Sequence, residues 1–158
     1  MINLQQLITQ IIIPSLSIIS EEACSESAMN LLLGTAAQES ILGTYVKQVP
    51  NGPALGIYQM EPSTYLDLTT RYSKTKSKNL QAILAKFNFN SIPPAETLIY
   101  DLRWATVWAR IKYFDAKKPL PKADDIEGLA KYWKKYYNTP LGKGTEAEFI
   151  DNYRMYCT

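Results

Sequence analysis

A glutamate closes an apolar helical stripe early in the chain. In the run Ala28-Met29-Asn30-Leu31-Leu32-Leu33-Gly34-Thr35-Ala36-Ala37-Gln38-Glu39, Leu32, Ala36 and Glu39 stand at i, i+4 and i+7, the spacing of one helix face. A carboxyl on such a face is partly desolvated, which penalises the anion and raises the pKa. A carboxylic acid that keeps its proton near neutral pH is what general acid catalysis needs. The competing reading is a glutamate at a frayed helix end, exposed or paired with a lysine such as Lys47.

Other residue types restrict the chemistry further. The chain has no histidine, so Ser-His triads, histidine metal sites and imidazole acid–base catalysis are excluded. Its two cysteines, Cys24 and Cys157, are too few for a zinc site of their own, and no metal or other cofactor is expected. Their spacing does not establish a disulfide; free thiols are the expectation. Two further carboxylates, Glu61 and Asp67, follow a turn-rich stretch. Glu61 precedes Pro62 at a helix start, where stabilising the helix dipole is the simpler role. Asp67 falls mid-helix beside Leu66 and Leu68 and is expected to be solvated.

These residues need a scaffold, and the pattern is helical. Apolar periodicity predicts helices over 3–19, kinked near Pro14, and over 21–39 with Ser20 as N-cap. Further helices are predicted over 62–72 with Pro62 in the first turn, over 77–87, and over 94–116 as the central helix. The last two are 125–137, led by Asp124 and Glu127 as a capping box, and 146–156, led by Thr145 and Glu148 as another. Residues 40–61 lack helical period. Asn51-Gly52-Pro53 marks a turn there, and Tyr45-Val46 with Ile57-Tyr58 suggest two short strands. The expectation is one mainly α domain with a loop or small β-hairpin after the second helix.

The bulk numbers agree with that. The chain has 158 residues, 46% hydrophobic and 20% charged, a normal size and balance for one globular domain. A net charge of +2 implies no strong pull toward nucleic acid. The N-terminal segment lacks a basic n-region and carries Pro14, so it reads as a first helix rather than a signal peptide, and no membrane insertion is expected. Eleven tyrosines and three tryptophans suit either the core or the faces of sugars. The segment Gly142-Lys143-Gly144-Thr145 has only part of a phosphate-loop pattern and reads more simply as a helix connection.

Three blocks in order carry a resemblance to a family. Glu39-Ser40 resembles the Glu-Ser motif of the lytic transglycosylases, lysozyme-like enzymes that cut peptidoglycan. The stretch Pro53-Ala54-Leu55-Gly56-Ile57-Tyr58-Gln59-Met60-Glu61-Pro62-Ser63-Thr64 resembles that family's Gly-Ala-x-Gly-Leu-Met-Gln segment and the Pro-x-Thr after it. The stretch Tyr136-Tyr137-Asn138-Thr139-Pro140-Leu141-Gly142 resembles its Ala-Tyr-Asn motif. The blocks span roughly residues 28–144. The middle one is the most specific; the first and last are informative only in combination. Pro53 for glycine, Tyr58 for Met or Leu, and Tyr136 for alanine depart from the pattern, and bear on the sugar pocket more than on the catalytic plan.

The resemblance implies a lysozyme-like catalytic domain over residues 1–158 and no cofactor. It implies cleavage of the MurNAc–GlcNAc β-1,4 bond of peptidoglycan glycan strands. Glu39 would act as acid and then as base, giving 1,6-anhydro-muramoyl ends. It further implies substrate-binding or supporting roles for Ser40, Gly56, Tyr58, Gln59, Tyr137 and Asn138. Ser40 either bonds near the sugar or holds the helix end. Gly56 lets the loop backbone approach the substrate or pack under it. Gln59 serves a sugar or Glu39, or stabilises the loop. Tyr45 and Tyr58 stack on sugars or pack in the core. Tyr137 stands beside the acid or packs near Trp133, and Asn138 braces the loop or binds sugar. A chain made in the host cytoplasm without a signal peptide suits a bacteriophage protein with virion or lysis partners, acting on the cell wall in the periplasm. The alternatives are a hydrolytic lysozyme on the same fold, with water activated by Glu61, Asp67 or the loop, and an inactive glycan-binding or virion structural protein.

Overall fold

The computed structural model describes residues 1–139 and 141–158; Pro140, part of the third block, lies outside the described residues. The chain begins with α1 (Leu4–Gln6), a π-helical stretch over Leu7–Ile12, and α2 (Ile13–Ile19). Asn3 caps α1 through its Oδ1, which accepts from the Gln6 amide at 3.1 Å. Pro14 has no N–H to give to the preceding turn, and the widened π turn directly before it absorbs that loss. The kink expected near Pro14 is therefore this change of helical type.

The predicted helix over 21–39 is two elements. Ser20 caps only a single 3-10 turn, Glu21–Ala23. The chain then straightens, and Ser25 starts α3 (Glu26–Ser40) by accepting from the Ala28 amide at 3.1 Å. Two serines five residues apart are equally good caps, and periodicity does not choose between them. From Leu31 to Ala37 every residue of α3 is buried, so α3 shares the centre of the molecule with the later helix assigned that place.

After α3 come α4 (Pro62–Thr75) and α5 (Ser77–Lys86), close to expectation, with Pro62 in the first turn of α4. The predicted helix over 94–116 breaks at Asp101 into α6 (Thr97–Tyr100) and α7 (Leu102–Phe114). The Asp101 carboxylate accepts from the amides of Arg103 (3.1 Å) and Trp104 (3.0 Å), so it starts a new helix instead of continuing the old one. Tyr100, before the break, and Phe114, at the far end of α7, are exposed. Between them Trp104, Val107 and Ile111 line one buried face of α7.

The next helix, α8 (Ile126–Trp133), is capped by Asp125, whose Oδ1 accepts from the Gly128 amide at 2.8 Å; the expected cap was one residue earlier. It ends in a π-helical stretch over Lys134–Asn138. Last, α9 (Glu146–Tyr156) carries the Thr145–Glu148 capping box as expected. It packs along α3 so closely that a Cβ on Gly34 would lie 2.2 Å from the Phe149 ring.

All three tryptophans are fully buried and belong to the core, not to a sugar-facing surface. Trp104 and Trp108 anchor an edge-to-face cluster with Tyr65 and Phe87. Trp133 packs on Phe149 with ring centroids 5.3 Å apart. Cys24 and Cys157 are free thiols, as expected, and burial pushes Cys157 up to about 12. Among the described residues no helix is long and apolar enough to cross a membrane.

Candidate functional site

Between α3 and α4 the loop alternative holds: the segment carries only two isolated bridges, Lys47 with Leu55 and Leu55 with Met60. Two-stranded ribbons are marginal without a third strand or a buried face, and Tyr45 and Val46 are exposed here. Fixed hydrogen bonds hold the segment instead. The Gln48 amide donates to Ala54 O (2.9 Å) and the Gly56 amide to Val46 O (2.8 Å). Leu55 and Met60 exchange two bonds of 2.9 and 3.0 Å, closing a tight loop over Gly56-Ile57-Tyr58-Gln59.

Ser40 ties that loop to the helix carrying Glu39. Its buried hydroxyl donates to Ile57 O at 2.6 Å and lies 3.1 Å from Ala36 O, and it accepts from the Gly43 amide at 2.9 Å. Of its two expected roles it holds the helix end. Gly56 has φ +74°, and a Cβ there would lie 2.2 Å from Leu98 O; it packs under the loop and does not meet the cleft. Tyr58 is buried, with its hydroxyl 3.1 Å from the Thr106 hydroxyl. Its ring therefore belongs to the core, which corrects its placement as a sugar platform. Its carbonyl accepts from the Tyr137 hydroxyl at 2.8 Å.

A cleft of about 760 Å³ opens between this loop and the segment after α8, lined by Glu39, Tyr45, Gln59, Glu61, Lys112 and Tyr137 among others. Glu39 comes from the last turn of α3 and is partly exposed. Its Oε1 accepts from the indole N–H of Trp133 at 3.0 Å. Burial pushes the Glu39 carboxyl up to about 7, and the indole bond and the Lys112 cation moderate that rise. The raised pKa argued from the apolar stripe is thus present, while the pairing with Lys47 is not.

Lys112, on α7, escaped the sequence reading. It donates to Tyr137 O at 2.7 Å, and its Nζ lies 3.8 Å from the centroid of the Tyr137 ring. Burial pulls it down to about 8, against the opposing influence of the Glu39 and Glu61 carboxylates. Its signal was its place at i+4 from Trp108 and i+8 from Trp104, on the buried side of α7.

The remaining candidates divide between wall and brace. Gln59 lines the cleft in a left-handed conformation, φ 46°, and its side-chain amide donates to Gly56 O at 2.8 Å. Tyr137 is a buried wall of the cleft, and Asn138 also lines it. The Asn138 Oδ1 accepts from Lys134 Nζ at 2.8 Å, and the same ammonium bonds Gly142 O at 2.7 Å. Asn138 therefore braces the segment that includes Gly142 and Gly144, which is a helix connection, as expected. Glu61 sits at the N-cap of α4 without a side-chain capping bond and lines the cleft. Asp67 is outside it, in an exposed ion pair with Arg71 at 2.9 Å. Among the described residues no cluster of acidic or cysteine side chains could hold a metal ion.

Such an arrangement can deliver a proton to a ligand oxygen and take one back. The acid is poised near neutrality beside a cation and has polar groups along the same cleft. Compared with protein-family models, curated proteins and solved structures, the chain has no significant match to any of them.

Proposed function

We propose that the chain is a peptidoglycan lytic transglycosylase with a lysozyme-like plan, and that Glu39 is its catalytic group. The observation that carries this reading is the Glu39 carboxyl in the cleft wall, raised to about 7 by burial. Such a group is protonated in a large fraction of molecules at neutral pH and is an adequate base once ionised. The resemblance of the blocks around Glu39, Gln59 and Tyr137 supplies the substrate: glycan strands of the bacterial wall, reached through the virion or at lysis.

In this mechanism Glu39 protonates the glycosidic oxygen as the bond from C1 of the muramoyl sugar breaks. The C6 hydroxyl of that sugar then closes on C1. Its proton returns to the Glu39 carboxylate, so the enzyme is regenerated and no water is consumed. Tyr137 and Gln59 line the groove in which the sugar lies, and the exposed ring of Tyr45 stands at its rim. No cofactor is required.

One observation favours the hydrolytic alternative: Glu61 lines the same cleft, and a second carboxylate is what hydrolases of this type use. The products separate the two. Purified peptidoglycan is digested with the wild type and with Glu39→Gln, and the soluble fragments are analysed by mass spectrometry. Anhydro-muramoyl ends from the wild type alone are the expected result. Reducing ends instead assign hydrolysis and make Glu61 the next variant. A folded wild type that binds glycan and releases nothing supports a binding or structural protein and overturns the enzymatic reading.

A further inference from the structure

A second cleft, of about 580 Å³, lies on the other side of Tyr113 from the Tyr137 wall; Tyr113 lines it, and the two tyrosine rings are 5.1 Å apart. Arg110 lines it too and is only 5% exposed. Burying a guanidinium is costly unless a counter-charge meets it. Yet among the described residues Arg110 forms no ion pair; the ion pairs present belong to Arg71. Its Nε donates to Ala23 O at 3.3 Å, and the Phe114 ring covers one face at 3.9 Å. The two terminal nitrogens form no hydrogen bond among the described residues and are open to solvent, since the buried side-chain atom left without a partner is Trp108 Nε1.

Of the other charged groups that line the cleft, two share the sign of Arg110 and one opposes it. Lys117 and Lys118 line the cleft, with Glu22 as the opposing charge, and Tyr132 holds this turn by donating to Lys118 O at 2.9 Å. Ser25 and Ser27 bring the N-terminus of α3 to the cleft. First-turn amides have no acceptor within their own helix, and a helix N-terminus favours an anion. A planar guanidinium, two flexible ammonium groups and serine hydroxyls suit an anion with several oxygens.

We propose that this second cleft binds a phosphate group, seated on the Arg110 guanidinium and flanked by Lys117, Lys118 and the start of α3. The group is either a free phosphate or a phosphodiester within a larger molecule. This site does not depend on the function proposed for Glu39.

The test is a titration of the ¹⁵N-labelled full chain, with inorganic phosphate in one arm and dimethyl phosphate in the other. Saturable shifts at the Ser25 and Ser27 amides and the Arg110 Nε–H are expected. Shifts with both probes assign a site open to diesters; shifts with inorganic phosphate alone assign a free phosphate. Arg110→Lys weakens binding about tenfold, in keeping with lost hydrogen bonds to a charged group. Lys117→Gln with Lys118→Gln, at exposed positions, weakens it several-fold and flattens its salt dependence. Glu22→Gln tightens it. Absence of saturable shifts with either probe overturns the proposal. So does unchanged affinity in a folded Arg110→Lys or, should that variant not fold, in the double lysine variant.

Discussion

The indole N–H of Trp133 reaches Oε1 of Glu39 across 3.0 Å, joining residues 94 positions apart in the chain. Trp133 is fully buried and fixed against Phe149, so the bond sets where the carboxyl points. It also favours the anion, which keeps burial from raising the pKa further. One core side chain thus helps set both the position and the acidity of the proposed acid, alongside burial and the Lys112 cation.

Replacing Glu39 by Gln keeps the shape and removes the proton. Loss of a general acid lowers the rate by about 10²–10⁴-fold, and fragment release from peptidoglycan is expected to fall by at least that much. Circular dichroism should remain that of the wild type.

The same variant has a stability signature. The folded-state value for Glu39, about 7, lies above the ordinary 4.5. Between those values the folded protein holds a proton that the unfolded chain has released. The contribution is full below pH 4.5 and is lost as pH rises through 7, a change of about 3 kcal/mol by linkage. Urea unfolding across this range should show Glu39→Gln overtaking the wild type as pH rises.

Lys112 acts in a different window. Its value falls from 10.5 to about 8, so its stabilising contribution is present above pH 10.5 and lost as pH falls through 8. Lys112→Met removes a cation that lowers the Glu39 pKa. The alkaline limb of the activity profile, placed near pH 7 by Glu39, should move upward in this variant. A limb that stays in place, measured as kcat/KM against pH, would separate Lys112 from the acid.

Ser40→Ala leaves Ile57 O and the Gly43 amide without their partner. Leaving a buried polar group unpaired costs about 1–3 kcal/mol. The midpoint of urea unfolding should fall accordingly, and amide exchange should quicken across residues 43–60 before it does in α7.

Gly56→Ala is expected to be more severe. The residue has positive φ, and the new Cβ would meet a backbone carbonyl 2.2 Å away, which cannot rotate aside as a side chain can. A loss of more than about 2 kcal/mol fits substitutions at such positions, measured as a fall in Tm.

Local chemistry was legible where one residue type dictates it. Thr145 with Glu148, Pro62, and Glu39 at the end of an apolar stripe all stand where the sequence put them. Boundaries set by competition between equivalent caps were not: Ser25 starts the helix that Ser20 was expected to start, and Asp101 interrupts a stripe that reads as continuous. Of the loop or small hairpin expected after α3, the loop is what forms, because Tyr45 and Val46 are exposed and give a ribbon no buried face. Lys112 was missed because its burial depends on a partner distant in sequence. Its burial comes from Tyr137, which approaches from a segment 25 residues away. For Tyr58, sugar stacking and core packing were both open; the core reading holds, with its hydroxyl beside Thr106.

Tyr137 has one further consequence. Its hydroxyl is bonded to the loop after α3, and its carbonyl to Lys112 on α7. This wall of the cleft is thus cross-tied, which resists hinge-like spreading. Adaptation is left to the rim, where Tyr45, Val49 and Leu141 are exposed. An engineer seeking altered ligand preference would vary those rim side chains and leave the tied wall alone.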